Sequence, residues 1–295
     1  MSTAEQDSVS TGGPTVRRIL LGAQLRRLRD AKDVSREEAG WAIRASESKI
    51  SRMELGRVGF KERDIADLLT LYGVAVADER AALLTLASEA NKPGWWQPYG
   101  DLIPNWLQYY LDLEAAAAVI RMYEIQFIPG LLQTEAYARA VILLGYGGAG
   151  TGEIDRRVGL RMARKQVLTR ADPPQLWAVI DEAVLRRPIG GLAVMRAQIE
   201  ALVEASSLPN VRLQVIPFRA GGHAAAGGAF TVLRFPDQDL PDVVFIEHLT
   251  SALYLDKRED VDRYAEVVGR LFIEAEPLTR TQEILRRTLR EMPSG

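Results

Sequence analysis

Apolar positions in the first third of the chain recur with a helical period. Ile19, Leu20, Ala23, Leu25 and Leu28 form one stripe, with Arg26, Arg27, Arg29 and Asp30 on the remaining faces, which predicts a helix ending near Ala31 to Asp33. Ser35, followed three residues later by Glu38, has the pattern of a capping box ahead of Ala39, Ala42 and Ile43, so a short second helix starts there. A tight connection at Arg44 and Ala45 precedes Ser46, a good cap for a third helix whose inward residues are Ile50 and Met53 and whose stop is Gly56. Two more helical patterns cover 62–72 and 78–90. Residues 1–16, rich in Ser, Thr and Gly with two acids and no base, read as a disordered tail, which leaves 17–90 as a small helical domain.

Periodicity then lapses. Pro93, Gly94, Pro98, Gly100 and Pro104 make 91–104 a linker. Trp95, Trp96 and Tyr99 are unusual for a freely solvated one, so it is expected to pack on the second domain, residues 105–295. In that domain helical spacing covers 106–123, 132–144 and 156–170. Short β-rich runs follow at Leu176–Ile180, Val211–Ile216, Phe230–Phe235, Val243–Glu247 and Ala252–Leu255, bounded by Pro, Gly, Asn and Asp. A helix near 195–204 separates the first two runs, and helices near 261–274 and 281–290 follow the last. The predicted fold is an all-α N-terminal helix-turn-helix bundle followed by a larger α+β domain.

Charge sharpens the division. The 295 residues carry a net −2, yet residues 17–63 hold 13 basic against 7 acidic side chains, a local +6 that leaves −8 for the remainder. A small basic helical bundle with two short helices around a tight turn suits double-stranded DNA, the second helix entering the major groove. There is no cysteine, which excludes disulfides, thiolate metal sites and cysteine nucleophiles, and the two histidines, His223 and His248, are too few for an imidazole-based metal centre. The glycine-interrupted apolar runs fall short of the ~20 residues that span a bilayer, so no membrane partner and a cytoplasmic location are expected.

The stretch Val34-Ser-Arg-Glu-Glu-Ala-Gly-Trp-Ala-Ile-Arg-Ala-Ser-Glu-Ser-Lys-Ile-Ser-Arg-Met-Glu-Leu-Gly-Arg57 resembles the Xre and phage-repressor family of DNA-binding domains. The resemblance implies that Glu47, Ser48 and Arg52 face base edges and that Lys49, Ser51 and Arg57 lie near phosphates. It places Arg36 at the start of the second helix, where the family's side chain approaches the backbone. Arg44 and Ser46, in the turn and at the cap, complete the candidate DNA-binding set. The chemistry agrees, since Arg52 can fork onto guanine and Glu47 can accept from cytosine. Gly40 departs from the family's usual Ala at a helix-stability cost of ~1 kcal/mol, and Glu47 brings an anion to a phosphate-facing surface.

The second domain carries Ile128-Pro-Gly-Leu-Leu-Gln-Thr-Glu-x-Tyr-Ala-Arg139, Arg161-x-x-Arg-Lys-Gln166, Val179-Ile-Asp-Glu-Ala-Val-Leu-Arg-Arg-Pro188, Pro209-Asn-Val-Arg-Leu-Gln-Val-Ile-Pro-Phe218 and Gly227-Gly-Ala-Phe-Thr-Val-Leu233. These motifs resemble a C-terminal domain of unknown function found on actinobacterial Xre regulators of the WhiJ-like and antitoxin-like kind. That resemblance implies a transcription factor whose large domain binds a small protein encoded nearby, and no catalytic residues transfer with it. A homodimer is expected, because one recognition helix reads too few bases.

Other motifs carry less. Gly145-Tyr-Gly-Gly-Ala-Gly150 fits the dinucleotide-binding expression, with Asp172 downstream, but a helical pattern precedes it where a strand is required. Asp181-Glu182 and Glu247-His248 are the pairings that suggest acid–base work, and a hydrolase is the third choice after a partner-modulated regulator and a metabolite-sensing repressor. Neighbouring residues on a strand face opposite ways, so one member of each pair is expected to be solvated or paired with Arg186 or Arg187. The glycine-rich loop with Phe218, Gly221, Gly222 and His223 is either a pocket lid or a plain connection and is the first place to seek a ligand or partner. No enzyme activity, cofactor or metal is expected.

Overall fold

Pro14 opens the first helix. The computed structural model describes residues 14–237 and 240–293; most of the expected N-terminal tail lies outside the described residues, and Pro14, Thr15 and Val16, read as its end, are buried in the first turn of α1 (Pro14–Ala31). A proline costs nothing at this position because its missing N–H has no intrahelical partner. The helical unit continues through α2 (Arg36–Ala42), α3 (Glu47–Glu54), α4 (Glu62–Leu71) and α5 (Ala77–Ala90). Its core gathers Leu21, Leu25, Ile43, Ile50, Met53, Ile65, Leu68, Leu69 and Tyr72.

This unit also takes in Gln108–Ala116, most of α6 (Asn105–Ala116), and a short piece of a later connection. The buried carboxylate of Asp112, 1% exposed, accepts from the Thr15 hydroxyl at 2.7 Å and the Trp96 indole at 2.8 Å. It stands at the start of α1, where backbone N–H groups lack partners and the helix dipole favours an anion. The linker aromatics therefore divide: Trp96 belongs to the helical unit, whereas Tyr99 lies in the second unit, its hydroxyl close to Gly159.

The second unit is built on a mixed six-stranded sheet in the order β3-β2-β1-β4-β5-β6, with β1 (Val119–Glu124), β2 (Gln175–Asp181), β3 (Val211–Ile216), β4 (Phe230–Arg234), β5 (Val243–Glu247) and β6 (Ala252–Leu255). β1, β2 and β3 run parallel, and β4, β5 and β6 continue the sheet in antiparallel fashion. Helices α7 (Glu135–Tyr146) and α8 (Thr151–Lys165) join β1 to β2. The short α9 (Glu182–Arg186) and α10 (Leu192–Ala205) join β2 to β3, and α11 (Arg258–Glu274) and α12 (Leu278–Glu291) end the described chain. One face of the sheet, with Tyr123, Val179, Phe230, Val232 and Val244, packs on Val261, Val268 and Leu271 of α11.

The α+β class agrees with the sequence pattern, and β1 corrects it. Helical spacing carried the preceding helix through Tyr123, but α6 stops at Ala116. The run Val119-Ile-Arg-Met-Tyr is β-branched and bulky and lies in mid-sheet, where Ile120 and Met122 are buried on one face and Tyr123 on the other. A strand covered on both sides loses the period-2 signal and is not distinguishable from a buried helix by pattern. The glycine run 145–150 connects α7 to α8, so the strand that a dinucleotide fingerprint requires is absent from its upstream side.

Candidate nucleic-acid interface

Both helices of the turn are capped as their sequences direct. The Glu38 amide donates to Ser35 Oγ at 3.1 Å and the Ser35 amide to Glu38 Oε2 at 2.7 Å, and hydrogen bonding of the carboxylate to Ser35, the backbone amide first and then the side chain, holds the Glu38 carboxyl below the usual range. Ser46 Oγ accepts from the Lys49 amide at 3.3 Å and starts α3. Between them the Ala45 amide reaches Gly40 O at 2.8 Å, and Arg44 adopts a left-handed φ of 55°. A Cβ on Gly40 would lie 2.7 Å from Ala45 O. The glycine that looked like a helix-weakening departure is what lets this turn close so tightly.

The inner surface of the motif is held by two ion-pair systems that the apolar pattern did not reveal. Glu54, at the end of α3, receives Arg29 Nε at 2.5 Å and Arg36 Nε at 3.0 Å, while Arg29 Nη1 also donates to Val34 O at 2.8 Å. Arg29, read with the polar face of α1, is 7% exposed and follows Leu25 by one turn on the inward stripe. The hydrogen bond from Arg29 to Glu54 raises the Arg29 pKa. Lys49 Nζ lies 2.6 Å from Asp64 Oδ2 on α4, a carboxylate that is almost fully buried. Nothing in the sequence marked Glu54 or Asp64 as the partner of these cations.

The candidate set consequently divides. Arg44, Ser46, Glu47, Ser48, Arg52 and Arg57 are exposed, and Ser51 is partly so. Arg52 Nε makes only a long, 3.4 Å bond to Ser48 O, leaving its guanidinium available. Arg36 and Lys49 hold the motif together through their charges. Trp41, not singled out in the sequence, is 77% exposed on the last turn of α2.

In the second unit the glycine-rich loop is tethered. Phe218 is 60% exposed, its amide donating to Glu182 Oε2 at 3.0 Å, and Gly221 has φ +69°. His223 Nδ1 accepts from the Ala225 amide at 3.3 Å and Nε2 lies 2.9 Å from the Tyr123 hydroxyl, an arrangement that places the ring proton on Nε2. Gly222 is exposed. Asp181 caps α9 through the Ala183 amide and Glu182 pairs with Arg186 at 2.9 Å. Among the described residues neither histidine is hydrogen-bonded to a carboxylate, and no cluster of three metal-ligating side chains occurs.

A capped helix pair with a tight turn, set in a small helical unit and presenting an exposed, partly basic second helix, defines a helix-turn-helix DNA-binding regulator. The family described as a helix-turn-helix domain matches residues 20–83. A second family, the domain of unknown function DUF5753, matches residues 107–287, and the chain belongs to it. No curated protein and no solved structure matches the chain. Among the described residues no helix is long and apolar enough to cross a membrane.

Proposed function

We propose that this protein is a transcriptional regulator of the Xre type, akin to the WhiJ-like and antitoxin-like regulators, that binds an operator as a homodimer in the cytoplasm. The observation that carries the reading is the exposed face of α3: Ser46, Glu47, Ser48 and Arg52 face solvent while the roots of the helix are fixed by Glu54 and Asp64. Donors and acceptors held on a rigid helix suit direct readout of base edges. The DUF5753 domain acts without catalysis, binding a small protein encoded nearby that favours one DNA-binding state over another. Such a partner changes operator affinity only by its difference in affinity for the two states.

The test is a titration of purified protein onto its own upstream DNA at fixed salt, with and without the product of any small adjacent reading frame. Specific binding that shifts when the product is added supports both halves of the reading; binding without a shift removes the partner. Arg52→Ala is expected to lower affinity for the specific site by about 1–3 kcal/mol while leaving competitor DNA binding nearly unchanged. Equal loss on both DNAs would remove α3 as the reading helix.

A further inference from the structure

The second half of the loop between β3 and β4 is fixed at both ends yet leaves space beneath it. At one end His223 is bonded to Tyr123 of β1, the rings meeting edge to face at 5.2 Å. At the other, Phe230 opens β4 and packs edge to face on Tyr264 of α11 at 5.0 Å. Between these anchors residues 224–229 carry only methyl groups or hydrogen as side chains. They form one wall of a cavity of about 220 Å³ whose other walls are Phe230, Ile246, Tyr264 and Val267, with Arg263 also on its lining.

Its position and chemistry point the same way. The loop leaves the carboxyl end of β3, beside the carboxyl ends of β1 and β2, the side of an open sheet where α/β folds take their ligands. The lining is aliphatic and aromatic, and its single charged residue is Arg263. Arg263 is 72% exposed and has Glu266 at 3.2 Å, a surface ion pair of the kind worth little, so a ligand carboxylate can replace that partner at small cost. Apolar walls with one convergent polar group describe a small-molecule site. Gly227 and Gly228 meet no atom within 4 Å of an added Cβ, so that part of the wall has room to adjust.

We propose that this cavity binds a small aromatic carboxylate of one or two rings, the rings against Phe230 and Tyr264 and the carboxylate on Arg263. The assignment is independent of DNA binding and stands or falls separately from it.

Isothermal titration of the full-length protein with 1-naphthoate, and with neutral 1-naphthamide of nearly the same shape, tests it. Naphthoate is expected to bind one per chain with at least tenfold preference over the amide. Arg263→Gln, a change at an exposed side chain, is expected to weaken naphthoate at least tenfold and the amide less than threefold. Val267→Phe fills the cavity from the helix side and is expected to abolish both. No saturable binding at millimolar naphthoate, equal affinity for acid and amide, or naphthoate affinity unchanged in Arg263→Gln would each overturn the proposal.

Discussion

Glu54 satisfies two arginines from a position where water hardly reaches. Removing one member of such a group leaves uncompensated charge in a low-dielectric site, which is far more costly than losing a surface pair. Glu54→Ala is expected to destabilise the helical unit by about 3–5 kcal/mol, seen as a lower denaturation midpoint by circular dichroism. Lys49 and Arg57 separate the two uses of basic residues here. Lys49 is committed to Asp64, so Lys49→Ala is expected to lower stability and leave the salt dependence of DNA binding nearly unaltered. Arg57 is exposed, so Arg57→Ala is expected to keep the fold and flatten the slope of log affinity against log salt by about 1. The reverse assignment of effects would show that Lys49 leaves Asp64 to reach a phosphate.

Among elements, α1 sets the tightest tolerance. It crosses the end of α3 so closely that a Cβ on Gly22 would stand 2.5 Å from Met53 O and 2.6 Å from Glu54 O. Both obstacles are backbone and cannot rotate away. Gly22→Ala is expected to cost roughly 1–3 kcal/mol by overpacking, opposite in sign to the gain alanine gives inside a solvated helix, and thermal unfolding distinguishes the two. Nothing local announced this glycine, because close approach of helix backbones is a property of the packed unit. What was legible in the chain were features of short range: Ser35 with Glu38, Ser46, and the five β-rich runs now seen as β2 to β6. What was not legible depended on distant partners: Arg29 with Glu54, Lys49 with Asp64, and β1, whose burial on both faces erased its period. The candidate loop was found from its glycines, but the cavity lies under residues 224–229, with Phe218 outside its lining.

Across the whole molecule, charge and proton affinity are unevenly placed. The basic surplus sits in residues 17–63 of the helical unit, while the second unit holds Glu124 at the end of β1. Burial and the Glu247 carboxylate push its pKa up to about 7, against the pull of Arg161 and Arg164. Because the folded value lies above the ordinary carboxyl value, the folded state holds this proton more tightly than the unfolded chain does. The resulting stabilisation is complete below about pH 4 and is lost as pH rises through 7. Between about pH 5.5 and pH 8 the second unit is expected to lose on the order of 2 kcal/mol from this group, and Glu124→Gln to flatten that part of the profile in denaturant titrations.

Asp112 bears on how such regulators can be assembled. The two sequence families meet this chain at residues 20–83 and 107–287, as if a recognition module had been joined to a separate receiver. Yet the carboxylate that anchors the start of α1 comes from residue 112, inside the second match. A recombination event cutting between residues 90 and 105 would hand the recipient a DNA reader without its anchor. Successful exchange of binding specificity among relatives would have to carry α6 along, or find another acid to stand in its place.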